Sequence, residues 1–119
     1  MHGLGELEAA VMDVLWRETT PLKVRDVLER LDTGRPLAYT TVMTVLDNLH
    51  RKHWVKRQRD GKAYLYETTT TREEAAARAL RDILDTSGDP HGVLMHFVAS
   101  VSDEETDILR SALRKKRPR

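Results

Sequence analysis

Cysteine is missing from the chain. Its absence excludes disulfides, thiol nucleophiles and thiolate metal ligands together, and it suits a reducing compartment. Aromatic residues are scarce: one Phe, two Trp and three Tyr, so aliphatic side chains must supply the core. No apolar run approaches the roughly 18 residues of a membrane span. Met1 to Glu8 lacks the basic-then-apolar pattern of a leader peptide. The expectation is a cytoplasmic protein with no membrane insertion. An excess of one charge is lacking too. Lys and Arg number 20 against 19 Asp and Glu, for a net charge of +1, so any affinity for a polyanion must come from local clustering. Gly-rich phosphate loops, H-E-x-x-H and G-x-S-x-G are all absent, which argues against an enzyme. The histidines are His2, His50, His53, His91 and His96. Only His50 and His53 fall at a helical pair spacing, and two ligands without a third do not make a metal site. No cofactor or metal is expected.

What the chain does contain is a run of short elements. At 119 residues it suits one domain with an appendage. Leu7, Ala10, Val11, Val14 and Leu15 recur at helical spacing over Leu4 to Arg17. Pro21 offers a helix start for a second helix over Leu22 to Leu31, with Val24, Val27, Leu28 and Leu31 apolar. Gly34 and Pro36 mark a turn. A third helix spans Tyr39 to His53, with Val42, Val45, Leu46 and Leu49 on one side. Its other side holds Thr40, Thr44, Asp47 and Arg51, flanked by Thr41, Met43 and Asn48. Val55 to Arg59 and Ala63 to Glu67 read as strands around an Asp60-Gly61 turn, with Tyr64 and Tyr66 on a common face.

Helix, helix, helix and hairpin is the order of a winged helix-turn-helix. The expected fold is therefore mainly α with a small β-hairpin wing. The third helix is the candidate reader of DNA. A major groove about 12 Å wide admits a helix whose leading side chains are short. Thr40, Thr41 and Thr44 meet that need, and Tyr39 and Met43 stand among them. Cations cluster around them at Arg51, Lys52, Lys56, Arg57, Arg59 and Lys62. Arg59 and Lys62 bracket the turn, where a wing meets the backbone or minor groove. The candidate contacts to double-stranded operator DNA are thus Tyr39, Thr40, Thr41, Met43, Thr44, Asn48, Arg51, Arg57, Arg59 and Lys62.

Thr68 to Thr71 reads as a boundary, dividing a DNA-binding part (1–70) from a helical part (71–119). Thr71 with Glu74, and Ser102 with Glu105, are capping boxes. Ser87 to Pro90 reads as a break and Val93 to Val101 as a helix. Leu80, Ile83 and Leu84, then Leu94, Phe97, Val98 and Val101, then Ile108, Leu109 and Leu113 make three short apolar stripes. Such helices make a poor core alone. They must pack back on the winged helix or pair with a second copy, and pairing is the favoured reading, making this a C-terminal dimerisation domain. A two-fold dimer implies a pseudo-palindromic site. The last helix ends in Arg114, Lys115, Lys116, Arg117 and Arg119.

Three strings carry a family resemblance across nearly the whole chain. They are LEAAVMDVLW from Leu7 to Trp16, AYTTVMTVLDNL from Ala38 to Leu49, and RDGKAYLY from Arg59 to Tyr66. They resemble the opening helix, recognition helix and wing of the penicillinase-repressor family. The resemblance implies a homodimer that represses β-lactamase or cell-wall genes at TACA/TGTA dyads. It also implies release through a membrane-sensor-linked protease that cuts an asparagine–phenylalanine bond in the dimerisation tail. The matching pair here is His96-Phe97, with histidine in place of asparagine. A copper-sensing branch uses C-terminal cysteines, a mode closed to this chain. Two other readings stay open: a small-molecule-responsive winged-helix regulator, and a winged helix that binds protein rather than DNA. The location implied is the cytoplasm, at the nucleoid.

Overall fold

The computed structural model describes residues 3–116. The chain divides into two compact units, the first ending at Ala79 and the second beginning at Leu80. Helices α1 (Glu6–Arg17), α2 (Val24–Arg30) and α3 (Tyr39–Arg51), then strands β1 (Val55–Asp60) and β2 (Ala63–Thr68), come first. Helix α4 (Arg72–Thr86) runs across the division, and α5 (Pro90–Ser100) and α6 (Asp103–Lys115) follow.

Helix α1 begins at Glu6, two residues later than its apolar period suggests. Gly5 occupies the N-cap position, and Glu8 reaches back to accept from the Gly5 N–H at 2.9 Å. This satisfies a donor that the helix itself leaves unpaired. Pro21 does not start α2. Leu22 instead exchanges backbone hydrogen bonds with Tyr66, at 2.9 and 2.8 Å, as an isolated bridge beside β2. A residue pairing in extended form cannot also open a helix, so α2 starts at Val24. The Asp26 carboxylate accepts from the Lys23 N–H at 3.0 Å.

Helix α3 buries Val42, Val45, Leu46 and Leu49, the side expected from the sequence. It stops at Arg51, short of His53. His53 takes φ +66°, its N–H donates to His50 O, and the Trp54 N–H donates to Leu49 O. That pair of bonds around a left-handed residue is a Schellman ending. His53 therefore leaves the helix, and the three-residue helical spacing to His50 does not apply.

The strands are antiparallel, pairing Val55 with Thr68 through Asp60 with Ala63. The central turn residues are thus Gly61 and Lys62, one place beyond the Asp60-Gly61 turn expected. Gly61 has φ +65° and Lys62 does not enter the left-handed region, the pattern of a II′ hairpin turn.

One core joins these elements: Val11, Met12, Val14 and Leu15 of α1, Leu22, Val24 and Val27, the four residues of α3, Val55 and Tyr66. Each fully buried aliphatic side chain contributes about 1.5–3 kcal/mol relative to exposure. Met12 is fully buried although the α1 stripe omits it. Ala75 is buried at the base of α4. The start of α4 is also fastened to α1. Trp16 Nε1 donates to Thr70 O at 3.1 Å, and Arg72 pairs with Asp13 at 2.7 Å.

In the second unit, α5 begins at Pro90 rather than Val93. Asp89 caps it by accepting from the Gly92 N–H at 3.0 Å, and Pro90 sits in the first turn, where no N–H is needed. The helix ends at Ser100, one residue short of Val101. Ser102 and Glu105 form the expected capping box, at 3.1 and 2.9 Å. Neither α5 nor α6 buries a residue. Arg117 and Arg119 of the basic end lie outside the described residues, as does His2.

Candidate nucleic-acid interface

The burial of four aliphatic residues on one side of α3 leaves its other side in solvent. Thr40, Thr41, Met43, Thr44, Asp47 and Arg51 are exposed, Tyr39 opens the helix exposed, and Asn48 is half-buried. Thr44 Oγ1 donates to the Thr40 carbonyl at 2.9 Å, the back-bond open to a threonine inside a helix. Arg51 donates to Asn48 Oδ1. The leading half of this face carries no charge, and three of its exposed side chains are threonines beside Tyr39 and Met43.

The cations around it divide by partner. Lys52 pairs with Glu8 at 2.9 Å, Lys56 with Glu67 at 3.4 Å, and Arg57 with Asp47 at 3.0 Å. Among the described residues, Arg51, Arg59 and Lys62 have no carboxylate within ion-pair distance. The sequence counts six cations between Arg51 and Lys62, and the fold leaves three of them uncompensated. One stands at the end of α3 and two at the hairpin. Lys23, at the start of α2, pairs with Asp60 at 3.7 Å, so the acid beside the hairpin turn is itself paired.

Arg57 is the least free of the group. Its side chain is 23% exposed, and it donates to the Tyr66 hydroxyl at 3.5 Å. Its pKa is raised above the ordinary arginine value, chiefly by that hydroxyl and next by Asp47, against the effect of burial. Its guanidinium stands 4.3 Å from the Tyr64 ring centre. Neither Asp47 nor Tyr64 emerges from the sequence as a site residue. The alternation of Arg57 and Arg59 opposite Tyr66 and Tyr64 was the available signal.

The penicillinase repressor family matches residues 4–115. The chain belongs to that family. The transcriptional regulator BlaI of Mycobacterium tuberculosis is 47% identical over 113 residues, covering 92% of this chain and 82% of that protein. The methicillin resistance regulatory protein MecI of Mammaliicoccus sciuri is 20% identical over 119 residues, covering 97% and 96%. The solution structure of the DNA-binding domain of the repressor BlaI matches with TM-score 0.53 at 19% identity, covering 60% of this chain and 87% of that one. A mutant of S. aureus MepR bound to an oligodeoxyribonucleotide matches with TM-score 0.51 at 20% identity, covering 95% and 77%. At such identities the solved structures show the winged-helix fold alone. Family membership makes this penicillinase repressor relative a DNA-binding transcriptional regulator rather than an enzyme.

The second unit of this family member exposes apolar side chains on every helix. Leu80 and Ile83 of α4, Leu94, Met95, Phe97 and Val98 of α5, and Ile108, Leu109 and Leu113 of α6 are exposed. Leu84 and Val101 are half-buried. Met95 is the one the sequence reading missed, because it lies off the Leu94–Val98 stripe. His96 and Phe97 sit in the middle of α5, both exposed, and the Ser100 hydroxyl donates to the Phe97 carbonyl at 2.6 Å.

Proposed function

We propose that the protein is a homodimeric repressor that binds a pseudo-palindromic operator upstream of β-lactamase or cell-wall genes. It acts in the cytoplasm, on the nucleoid. Residues 1–70 bind DNA and residues 71–119 form the dimer. The observation that carries this reading is the uncharged Thr40, Thr41 and Thr44 face of α3, flanked by the uncompensated cations Arg51, Arg59 and Lys62. The threonines and Met43 meet base edges, since short hydroxyls and methyls suit the major groove. Tyr39, Asn48, Arg51, Arg59 and Lys62 meet phosphates and sugars, and fix the register. Arg57 supports the wing from within.

The exposed stripes of α4, α5 and α6 pair with those of a second copy. Release follows a cut at His96-Phe97 by a protease linked to a membrane sensor. Phe97 is half exposed in the single chain, so in the dimer it is a seam residue. Removing it from α5 takes away apolar burial and uncouples the two DNA-binding units. Mass analysis of the repressor before and after β-lactam exposure tests this step. An intact chain in derepressed cells would exclude it.

The binding claim is tested by genomic selection. Purified protein is mixed with sheared DNA from its source at physiological salt, and the bound fragments are sequenced. An enriched dyad near β-lactamase or cell-wall genes supports the reading, whereas uniform recovery with no motif removes it.

A further inference from the structure

Resting on the DNA-binding reading above, we propose that Asp47, Arg57 and Tyr64 are positioning residues. They form one connected path from the DNA-facing side of α3 to the wing, and they hold Arg59 where it meets a phosphate. The path is continuous. Asp47 Oδ1 accepts from Arg57 Nη1 at 3.0 Å. The Arg57 guanidinium lies 4.3 Å from the Tyr64 ring centre. The Arg59 guanidinium lies 5.4 Å from the same centre, and its Nη1 donates to the Tyr64 hydroxyl at 3.4 Å. The Tyr66 ring meets Tyr64 edge-on, with centres 6.2 Å apart, and fixes the ring from the core side.

The need for such a path follows from the fold. A two-stranded hairpin has little stability of its own. This one is held by the Leu22–Tyr66 bridge, by Val55 and Tyr66 in the core and by the Lys23–Asp60 pair, none of which engages the Arg59 guanidinium. The strand register places Arg57 opposite Tyr66 and Arg59 opposite Tyr64. Two guanidiniums two residues apart on one strand repel each other. A shared ring and the Asp47 carboxylate offset that repulsion. A preorganised arginine loses less freedom on binding than one free to rotate.

The placement of Asp47 makes the test one of sign. Its side chain is 52% exposed on the side of α3 that faces the DNA. As a mere local charge, it would repel phosphate, and Asp47→Asn would tighten binding. As the anchor of the path, its loss weakens binding through Arg59. The experiment measures affinities of the full chain for a selected operator fragment across a salt series. The variants are Asp47→Asn, Tyr64→Phe and Arg59→Ala, with each of the first two also combined with Arg59→Ala. Thermal melts confirm folding.

Asp47→Asn is expected to weaken binding about fivefold, and Tyr64→Phe by less, because it keeps the ring. Both effects should vanish in the Arg59→Ala background. Tighter binding by Asp47→Asn, or an equal penalty with and without Arg59, overturns the path while leaving the wing contact intact. Unchanged affinity in Arg59→Ala alone overturns the wing contact itself, and the path with it.

Discussion

Thr44 uses its hydroxyl proton on the Thr40 carbonyl. What it offers outward is therefore a methyl group and oxygen lone pairs. Thr44→Ala should cost about 1–3 kcal/mol of discrimination between the operator and single-base variants. Thr44→Val, which keeps the methyl, should retain most of it if that group reads a thymine. Competition binding against a panel of variant sites checks both. Glu8 is a second residue with a directional consequence. The Gly5 N–H first, and Lys52 after it, hold its pKa below the ordinary 4.5 despite burial. A carboxylate held lower in the fold stabilises above its ordinary pKa, and that stability is lost as pH falls through the lowered value. Glu8→Gln should cost about 1 kcal/mol at neutral pH, and the gap should close in melts as the pH falls below the ordinary carboxylate range. The Glu8–Lys52 pair, 44 residues apart in the chain, has no signature in local spacing, whereas the Thr44 back-bond joins residues four apart in one helix and follows from the helix itself. The identity of the α3 face was legible because four aliphatic residues repeat at 3.6-residue spacing. The Asp47 partner of Arg57 was not, because it depends on how a strand lies against a helix.

Among the elements, starts were harder to read than faces. Pro21 and Pro90 both sit near a helix start. At Pro90 the proline lies inside the helix, behind the Asp89 cap. At Pro21 it precedes a residue whose backbone is engaged with β2. Local rules for proline permit both outcomes, and only the long-range bridge decides between them. The hairpin shows the same limit on a smaller scale. The Asp-Gly pair was recognised as a turn, but the pairing of Asp60 with Ala63 shifts its centre to Gly61-Lys62. Gly61 at φ +65° has open space around the position of a Cβ, so substitution there meets only backbone strain. Gly61→Ala should cost about 1 kcal/mol, and Gly61→Asn less, since asparagine tolerates the left-handed region. Chemical denaturation measures the difference. Its effect on DNA affinity should exceed its effect on the melt of the rest of the fold, because the strain falls on the wing.

For the whole molecule, the winged-helix order was legible because each element carries its own period. The start of α4 was legible through its capping box, while the contact boundary at Ala79 lies inside a continuous helix and has no local marker. Six apolar residues of α5 and α6 are more than 45% exposed in the single chain, too many for a lone surface without purpose. Phe97→Asp should convert a dimer to a monomer in sedimentation equilibrium. It should abolish the preference for a full dyad over a half-site while sparing half-site affinity. A dimer that survives this change places the seam elsewhere. If the coreless tail pairs as proposed, it also ties the protein's lifetime to its abundance. Helices α5 and α6 have no buried side chains to hold them when alone, so a monomer opens readily to general proteases. On the proposed dimer, a newly made chain that finds its twin endures, and one that does not is degraded. Pulse-chase at graded expression should show the half-life rising with concentration, so that a falling supply of repressor clears itself faster than dilution by growth.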